Sequence, residues 1–429
     1  MKVVHLSTSD RGGAGMAAVR LHLALLSEGV DSHLLTLYKF TNDIPEHTRY
    51  NPSSGKNFPV FSTLLEKARK ALKYSGIVSP KFQRMAKRHL KNRPRGFENF
   101  SFAVSPYHLQ NHPLIKEADI VHLHWVSEGF LDYTSFFSEI KNKIVWTLHD
   151  MNPFTGGCHH ADDCEKFKRD CLPCPQLKNT IDDTFAGKIL EEKKVSLNKI
   201  SDRQLQVVTP SAWLGKLSKQ SKLFQRFAHH TIPNPIDSSI VPAFDKAEAR
   251  KQLGLPQDKK IVLFISHHID NSRKGLQKLL EALQYVDRTD ILVCSAGHEL
   301  ISGQEWGIHH LGYIENEEEM AEIYSAADLF VLPSQAENLP NTICESLFCG
   351  TPVVAFSVGG IPELIDSTNG KMAEAGDVRG LALAIHDVLD HPEKYSREQI
   401  RIQAIEKMGN AKVANAYRRI YNVSIEQGK

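Results

Sequence analysis

The chain has 429 residues, 41% hydrophobic and 24% charged, which is the balance of a globular protein and too much sequence for one core, so two domains are expected. No apolar run approaches the ~18 residues of a membrane span. The start, Met1-Lys-Val-Val-His-Leu-Ser, suits a buried strand rather than a signal peptide, so a cytoplasmic chain with reduced thiols is expected. The net charge of +2 hides an imbalance, because residues 67–95 carry 11 Lys and Arg and no Asp or Glu, leaving about −9 elsewhere.

Short β-branched runs alternate with helix-length stretches along the whole chain. In the first half strands are expected at 2–6, 33–37, 119–122, 144–148 and 206–209. In the second they are expected at 260–265, 290–295, 308–311, 329–332 and 352–355. Runs this apolar on both faces predict parallel sheets covered by helices on each side, an α/β fold. Ala118-Asp119 and Ala327-Asp328 each close a helix and open a strand, a repeated piece of architecture. Pro233, Pro235 and Pro242 mark the boundary, giving domains at 1–237 and 245–410. A last helix within 413–429 has no strand to follow and is expected to cross back onto the first domain. Residues 41–99 read as a basic, Pro-punctuated insertion without strand signals.

The most informative stretch runs from Pro333 to Pro352. Pro340 suits the first turn of a helix of about nine residues, and Gly350 with Pro352 closes it. Glu337 then sits in the loop after strand 329–332, and Glu345 lies roughly one turn into the helix. This is the carboxyl edge of a parallel sheet, where ligands bind. Gly359-Gly360-Ile-Pro362-Glu363 predicts a second loop and proline-started helix, so that two helix N-termini would together favour an anion. A single acidic residue here could merely complement a helix dipole. The whole phrase resembles the signature of the retaining family 4 glycosyltransferases of the GT-B fold: Glu, seven residues, Glu, then G-T-P-V-V-A and G-G-x-P-E. The resemblance implies two Rossmann-like domains facing a central cleft, with the donor site in the second. It also implies that Glu337 holds hydroxyls of the donor sugar, that Glu345 holds the ribose, and that Asn338 and Leu339 line the same site. A carboxylate suits a diol because it can accept two charge-assisted hydrogen bonds. Arg273 and Lys274 stand where the family carries its basic phosphate-binding segment. The family's preceding Arg is replaced here by His268, so that Arg273, or His267 and His268 in part, would supply the second charge, or the site is weaker than is usual for the family.

In the first half Ser9-Asp-Arg11-Gly12-Gly13-Ala-Gly15 follows the first strand and opens a helix. This loop can approach an oxygen-rich ligand, or can simply make a tight turn. It is not the G-x-G-x-x-G of a dinucleotide fold. By the resemblance, Gly12, Gly13 and Gly15 form a phosphate and acceptor loop, His149 hydrogen-bonds the donor sugar beside the reacting carbon, and Thr209-Pro-Ser211 is a turn beside the linker. No carboxylate stands out as nucleophile or base, and no D-x-D segment calls for a catalytic metal or other cofactor.

Cys158, Cys164, Cys171 and Cys174 fall within seventeen residues, a pattern open to a structural zinc, to free thiols packed in a loop, or to a redox role. The phrase from His149 to Cys158 resembles a subgroup of bacterial colanic-acid and exopolysaccharide transferases. These readings lead to a hexosyltransferase using a UDP- or GDP-sugar and a polysaccharide or lipid-linked acceptor. The alternatives are a nucleotide-sugar epimerase of the same architecture and a non-catalytic sugar-nucleotide-binding protein. Segment 67–95, cationic with interspersed apolar residues, fits peripheral docking at the inner face of the cell membrane or a plain surface insertion. It has no recognisable nucleic-acid module, so no nucleic-acid partner is expected.

Overall fold

The computed structural model describes residues 1–51, 80–94, 96–237, 244–286, 288–298 and 307–426. Contacts divide the chain into two compact units, one of 1–209, 215–230 and 419–429, the other of 210–214 and 231–418. Among the described residues no helix is long and apolar enough to cross a membrane.

The first unit is built on a sheet of order β3-β2-β1-β4-β5-β6-β7. Its strands are β1 (Lys2–Ser9), β2 (Asp31–Tyr38), β3 (His47–Arg49), β4 (Ile120–Leu123), β5 (Lys143–Thr147), β6 (Leu205–Thr209) and β7 (Ala228–Thr231). The pairs from β3 through to β6 are parallel. The second unit carries an all-parallel sheet of order β10-β9-β8-β11-β12-β13. It comprises β8 (Lys260–His268), β9 (Ile291–His298), β10 (His309–His310), β11 (Leu329–Leu332), β12 (Val353–Phe356) and β13 (Gly370–Ala373). Strands β4, β6, β11 and β12 are buried at every residue, which is why β11 and β12 read as continuous apolar runs and β4 and β6 as runs broken only by His122, Gln206 and Thr209.

The repeated Ala-Asp phrase does the same work in each unit. Asp119 accepts a 2.8 Å bond from the Lys2 N–H, and Asp328 one of 2.7 Å from the Ile261 N–H. In each case the carboxylate beside one central strand ties down the beginning of its neighbour.

Three strands escaped the sequence reading. β3 lies inside the stretch expected to lack strands, and pairs with β2 from His47 to Arg49. It is only three residues long, with two exposed, so it leaves no apolar run to read. β7 and β13 are also half-exposed edge strands. The last helix runs Asn410–Glu426, starting three residues earlier than expected, and its end from residue 419 belongs to the first unit. Of the basic segment 67–95, residues 67–79 and 95 lie outside the described residues. The remainder includes a helix, Pro80–His89, whose His89 ring stacks on Phe185 with centroids 3.8 Å apart.

Candidate active site

At the carboxyl edge of β8 the chain makes one turn, Ser272–Lys274, whose start is capped by Asn271 accepting from the Arg273 N–H over 3.0 Å. Gly275 ends the turn at φ +83°, and a Cβ there would lie 2.1 Å from the Pro333 carbonyl oxygen. The basic turn is therefore packed against the loop that leaves β11, and the Gln335 N–H donates to the Arg273 carbonyl over 2.8 Å. The result is an ionic cluster. Lys274 Nζ donates to Glu337 Oε1 at 2.6 Å, and Arg273 reaches the same oxygen at 3.2 Å and the Ala336 carbonyl at 2.6 Å. Burial alone would push the Glu337 carboxyl up, but the Lys274 and Arg273 charges prevail and hold it at about 2. Glu337 is a buried, ionised carboxylate with two cations on one of its oxygens.

The Glu337 loop is clasped from its other side. The Gly360 N–H donates to the Asn338 carbonyl over 2.9 Å, and Ser211 Oγ donates to Asn338 Oδ1 over 2.7 Å. Leu339 is buried beneath the loop. The following helix runs Asn341–Phe348, with Pro340 at its N-cap rather than inside its first turn. Glu345 lies on that helix and accepts a 3.3 Å bond from the Tyr324 hydroxyl. His268 closes β8, exposed, with ring centroids 4.7 Å from His267 and 5.7 Å from His298. The second proline-started helix is not formed. Residues Ile361–Glu363 make a single 3₁₀ turn, and Glu363 accepts instead from the backbone N–H groups of Ala212 (2.7 Å) and Trp213 (2.8 Å). The helix start expected after Gly359-Gly360 is therefore a single turn, and the carboxylate that follows its proline is committed to another helix start.

In the first unit the Gly-rich turn leads into helix Gly12–Ser27. Gly12 takes φ +74°, and a Cβ on Gly15 would lie 2.6 Å from the Ser9 carbonyl oxygen, so both positions have geometric reasons to be glycine. Gly13 lies between them, in the helix's first turn. His149 stands just past β5 and is half-buried, and burial lowers its pKa to about 4. Its Nε2 lies 3.2 Å from Nδ1 of His124. Asp150 accepts from Trp125 Nε1 (2.7 Å), the Asn152 N–H (2.8 Å) and His159 Nδ1 (2.6 Å). Its burial is outweighed chiefly by His159, which holds the carboxyl at about 2. Lys193, fully buried, donates to the carbonyls of Asn152 (2.6 Å) and Thr155 (3.1 Å) and so braces the loop that follows His149.

The four cysteines of that loop region line one cavity, together with Phe100, Gly156 and Phe167. Burial pushes Cys158 to about 12 and Cys171 to about 11. Among the described residues, the ligand atoms gathered within 4.8 Å of one another belong to His5, His122 and His124, not to these thiols.

Residues 259–391, which hold β8 to β13 and the ionic cluster, match the family model described as Glycosyl transferases group 1. A protein named as a colanic acid biosynthesis glycosyl transferase, WcaC, of Escherichia coli is 23% identical over 377 residues, 86% of this chain and 85% of its own. The second unit carries a group 1 glycosyltransferase domain, and the chain is a glycosyltransferase. Its fold is that of solved GT-B transferases. Sucrose-phosphate synthase from Thermosynechococcus elongatus superposes with a TM-score of 0.64 at 19% identity, covering 98% of each chain. HepE of Anabaena, in complex with UDP and glucose, superposes at 0.62 and 16% identity, covering 98% of this chain and 99% of its own.

Several neighbours of the candidate residues in each unit were not singled out from the sequence. His124, Trp125 and Lys193 touch His149 or its loop, and Tyr324 touches Glu345. The alternation His122-Leu123-His124 was a usable signal, since polar residues two apart on an apolar strand share a buried face. Lys193 had no such signal, being one of several lysines in helix Phe185–Leu197.

Proposed function

We propose that the protein transfers a hexose from a UDP- or GDP-sugar to a saccharide or lipid-linked acceptor in surface polysaccharide assembly, with retention of anomeric configuration. The observation that carries this reading is the cluster of Lys274, Arg273 and Glu337 at the carboxyl edge of β8 and β11. A departing nucleoside diphosphate gains negative charge as the glycosidic bond breaks, and fixed cations lower the barrier by meeting that charge. A buried carboxylate held ionised beside them can accept two sugar hydroxyls. Glu345 supplies a second carboxylate for the ribose, and His149 hydrogen-bonds the reacting sugar. The family resemblance supports both roles, while the UDP and glucose named for HepE support a nucleotide-sugar donor and the colanic acid biosynthesis named for WcaC a polysaccharide product.

The test is release of UDP from UDP-glucose and of GDP from GDP-mannose, with and without lipid-linked saccharide acceptors. Acceptor-dependent release from one donor is expected. Interconversion of sugars without release would favour an epimerase, and donor binding without turnover a scaffold.

Two further parts belong to this reading. Cys158, Cys164, Cys171 and Cys174 would hold a structural zinc as thiolates, a donor set that fits the metal by type. The basic segment 67–95 would dock on anionic lipid at the inner membrane face, presenting Arg84, Lys87 and Arg88, which are exposed on helix Pro80–His89. Co-sedimentation with anionic liposomes at low and high salt checks the docking, and a chain that stays in the supernatant at low salt overturns it.

A further inference from the structure

Buried histidines are unusual enough on an apolar sheet to demand a reason, and the first unit contains a row of them. His5 on β1 pairs in register with His122 on β4, and His124 follows two residues later on the same face. His5, His122 and His124 are at most 2% exposed. His5 Nδ1 lies 2.9 Å from His124 Nε2, and His124 Nδ1 lies 3.2 Å from His149 Nε2. Three imidazoles thus form a continuous hydrogen-bonded row from the core of the sheet to the carboxyl edge of β5. His122 stands beside the row with both its nitrogens engaged, Nδ1 with the Tyr421 hydroxyl (2.7 Å) and Nε2 with Thr147 Oγ1 (2.8 Å). Those engagements also argue against reading the group of His5, His122 and His124 as a metal cage.

A row of neutral imidazoles can be protonated in only two orders, since each ring carries one N–H and one lone pair. Burial disfavours the charged form of all three rings. The end of the row chooses between the orders. His5 Nε2 is buried and has no hydrogen-bond partner among the described residues. If the row ran outward-to-inward, that nitrogen would be a buried N–H with nothing to donate to, the costlier kind of orphan. If it runs inward-to-outward, the orphan is only a lone pair.

We propose that His5 and His124 are positioning residues that set the tautomer of His149: His5 Nδ1–H donates to His124 Nε2, His124 Nδ1–H donates to His149 Nε2, and His149 therefore carries its proton on Nδ1. His149 then offers its ligand an N–H donor, in a ring orientation fixed from inside the sheet. A donor suits a sugar hydroxyl oxygen, and this consequence rests on the role given to His149 under the proposed function. The tautomer itself does not.

Long-range proton–nitrogen correlation spectra of ring-labelled histidine read tautomers directly, with the His149 signals identified by their loss in His149→Gln. At pH 7.5 the wild type is expected to show His149 protonated at Nδ1 with Nε2 as acceptor. His5→Leu removes the donor at the head of the row, and His149 is expected to become a mixture of both tautomers. His5→Asn, whose amide nitrogen can stand near the imidazole Nδ1, is expected to restore the single tautomer. An Nε2-protonated His149 in the wild type overturns the proposal, and the wild-type and His5→Asn spectra suffice should His5→Leu fail to fold. A His149 tautomer unchanged in a folded His5→Leu overturns it equally. Nucleotide release from the donor provides a separate arm, in which His5→Leu is expected to lower kcat with little change in KM. Wild-type activity in His149→Gln would remove the catalytic role of His149 while leaving the tautomer result standing.

Discussion

Gly359 positions Glu337: a Cβ on Gly359 would lie 1.7 Å from the Glu337 carbonyl oxygen, at a φ of +58°. The carboxylate at the centre of the ionic cluster is placed by a residue with no functional group. Gly359→Ala is therefore expected to push the Glu337 loop away and to destabilise the protein by about 2–4 kcal/mol, combining left-handed strain with overpacking. Urea unfolding and nucleotide release measure the two effects. Wild-type values for both would show that the loop can yield and that the contact is not what holds it.

Glu337 and Glu345 should fail in different ways. Glu337 shares its oxygen with Lys274 and Arg273, so Glu337→Ala is expected mainly to lower kcat, costing about 2–4 kcal/mol of barrier. Glu345 lies on helix Asn341–Phe348 beside Tyr324, and Glu345→Ala is expected mainly to raise KM for the donor. Initial rates over a range of donor concentration separate the two. Unchanged rates in both variants would end the assignment.

Acid should weaken the fold well before the carboxylates titrate. Burial lowers the pKa of His5, His122 and His124 well below the ordinary 6.5. Below pH 6.5 the unfolded chain takes up protons on these rings and the folded chain does not, so stability falls as pH falls. Each group contributes ~1.4 kcal/mol per pH unit, so the three together approach ~4 kcal/mol per unit. Below the ordinary carboxylate range Asp150 and Glu337, both held at about 2, add a loss of the same sign. Urea midpoints at pH 7.5, 6.5 and 5.5 provide the measurement. A flat profile over that range would mean that the rings are not buried neutral.

The cysteine cavity makes a compositional prediction. Protein purified without added zinc is expected to contain about one equivalent, lost in Cys171→Ser or Cys174→Ser. Metal analysis decides it, and a metal-free preparation with full activity would return the four thiols to simple packing.

Much of the architecture was legible because buried parallel strands must be apolar on both faces, and ten such runs stand out along the chain. The paired-Glu phrase was legible for a related reason. Pro340, Gly350, Gly359 and Gly360 punctuate it so densely that a loop, a helix start and a helix stop can be assigned locally. The edge strands β3, β7 and β13 were not, because a half-exposed strand of three or four residues has no periodicity to detect. The sequence also could not show that Pro362 opens only one turn, since Glu363 is claimed by Ala212 and Trp213, 150 or so residues earlier in the chain.

By itself, then, the sequence determined which residue types stand at the ends of which strands: Lys274 after β8, Glu337 after β11 and His149 after β5. Only the tertiary structure decided their state. Glu337 is ionised because two cations from a distant loop reach its oxygen, and the row from His5 to His149 exists because β1 and β4 lie side by side. Protonation and tautomer depend on burial and on through-space partners, and neither quantity is a property of neighbours in sequence.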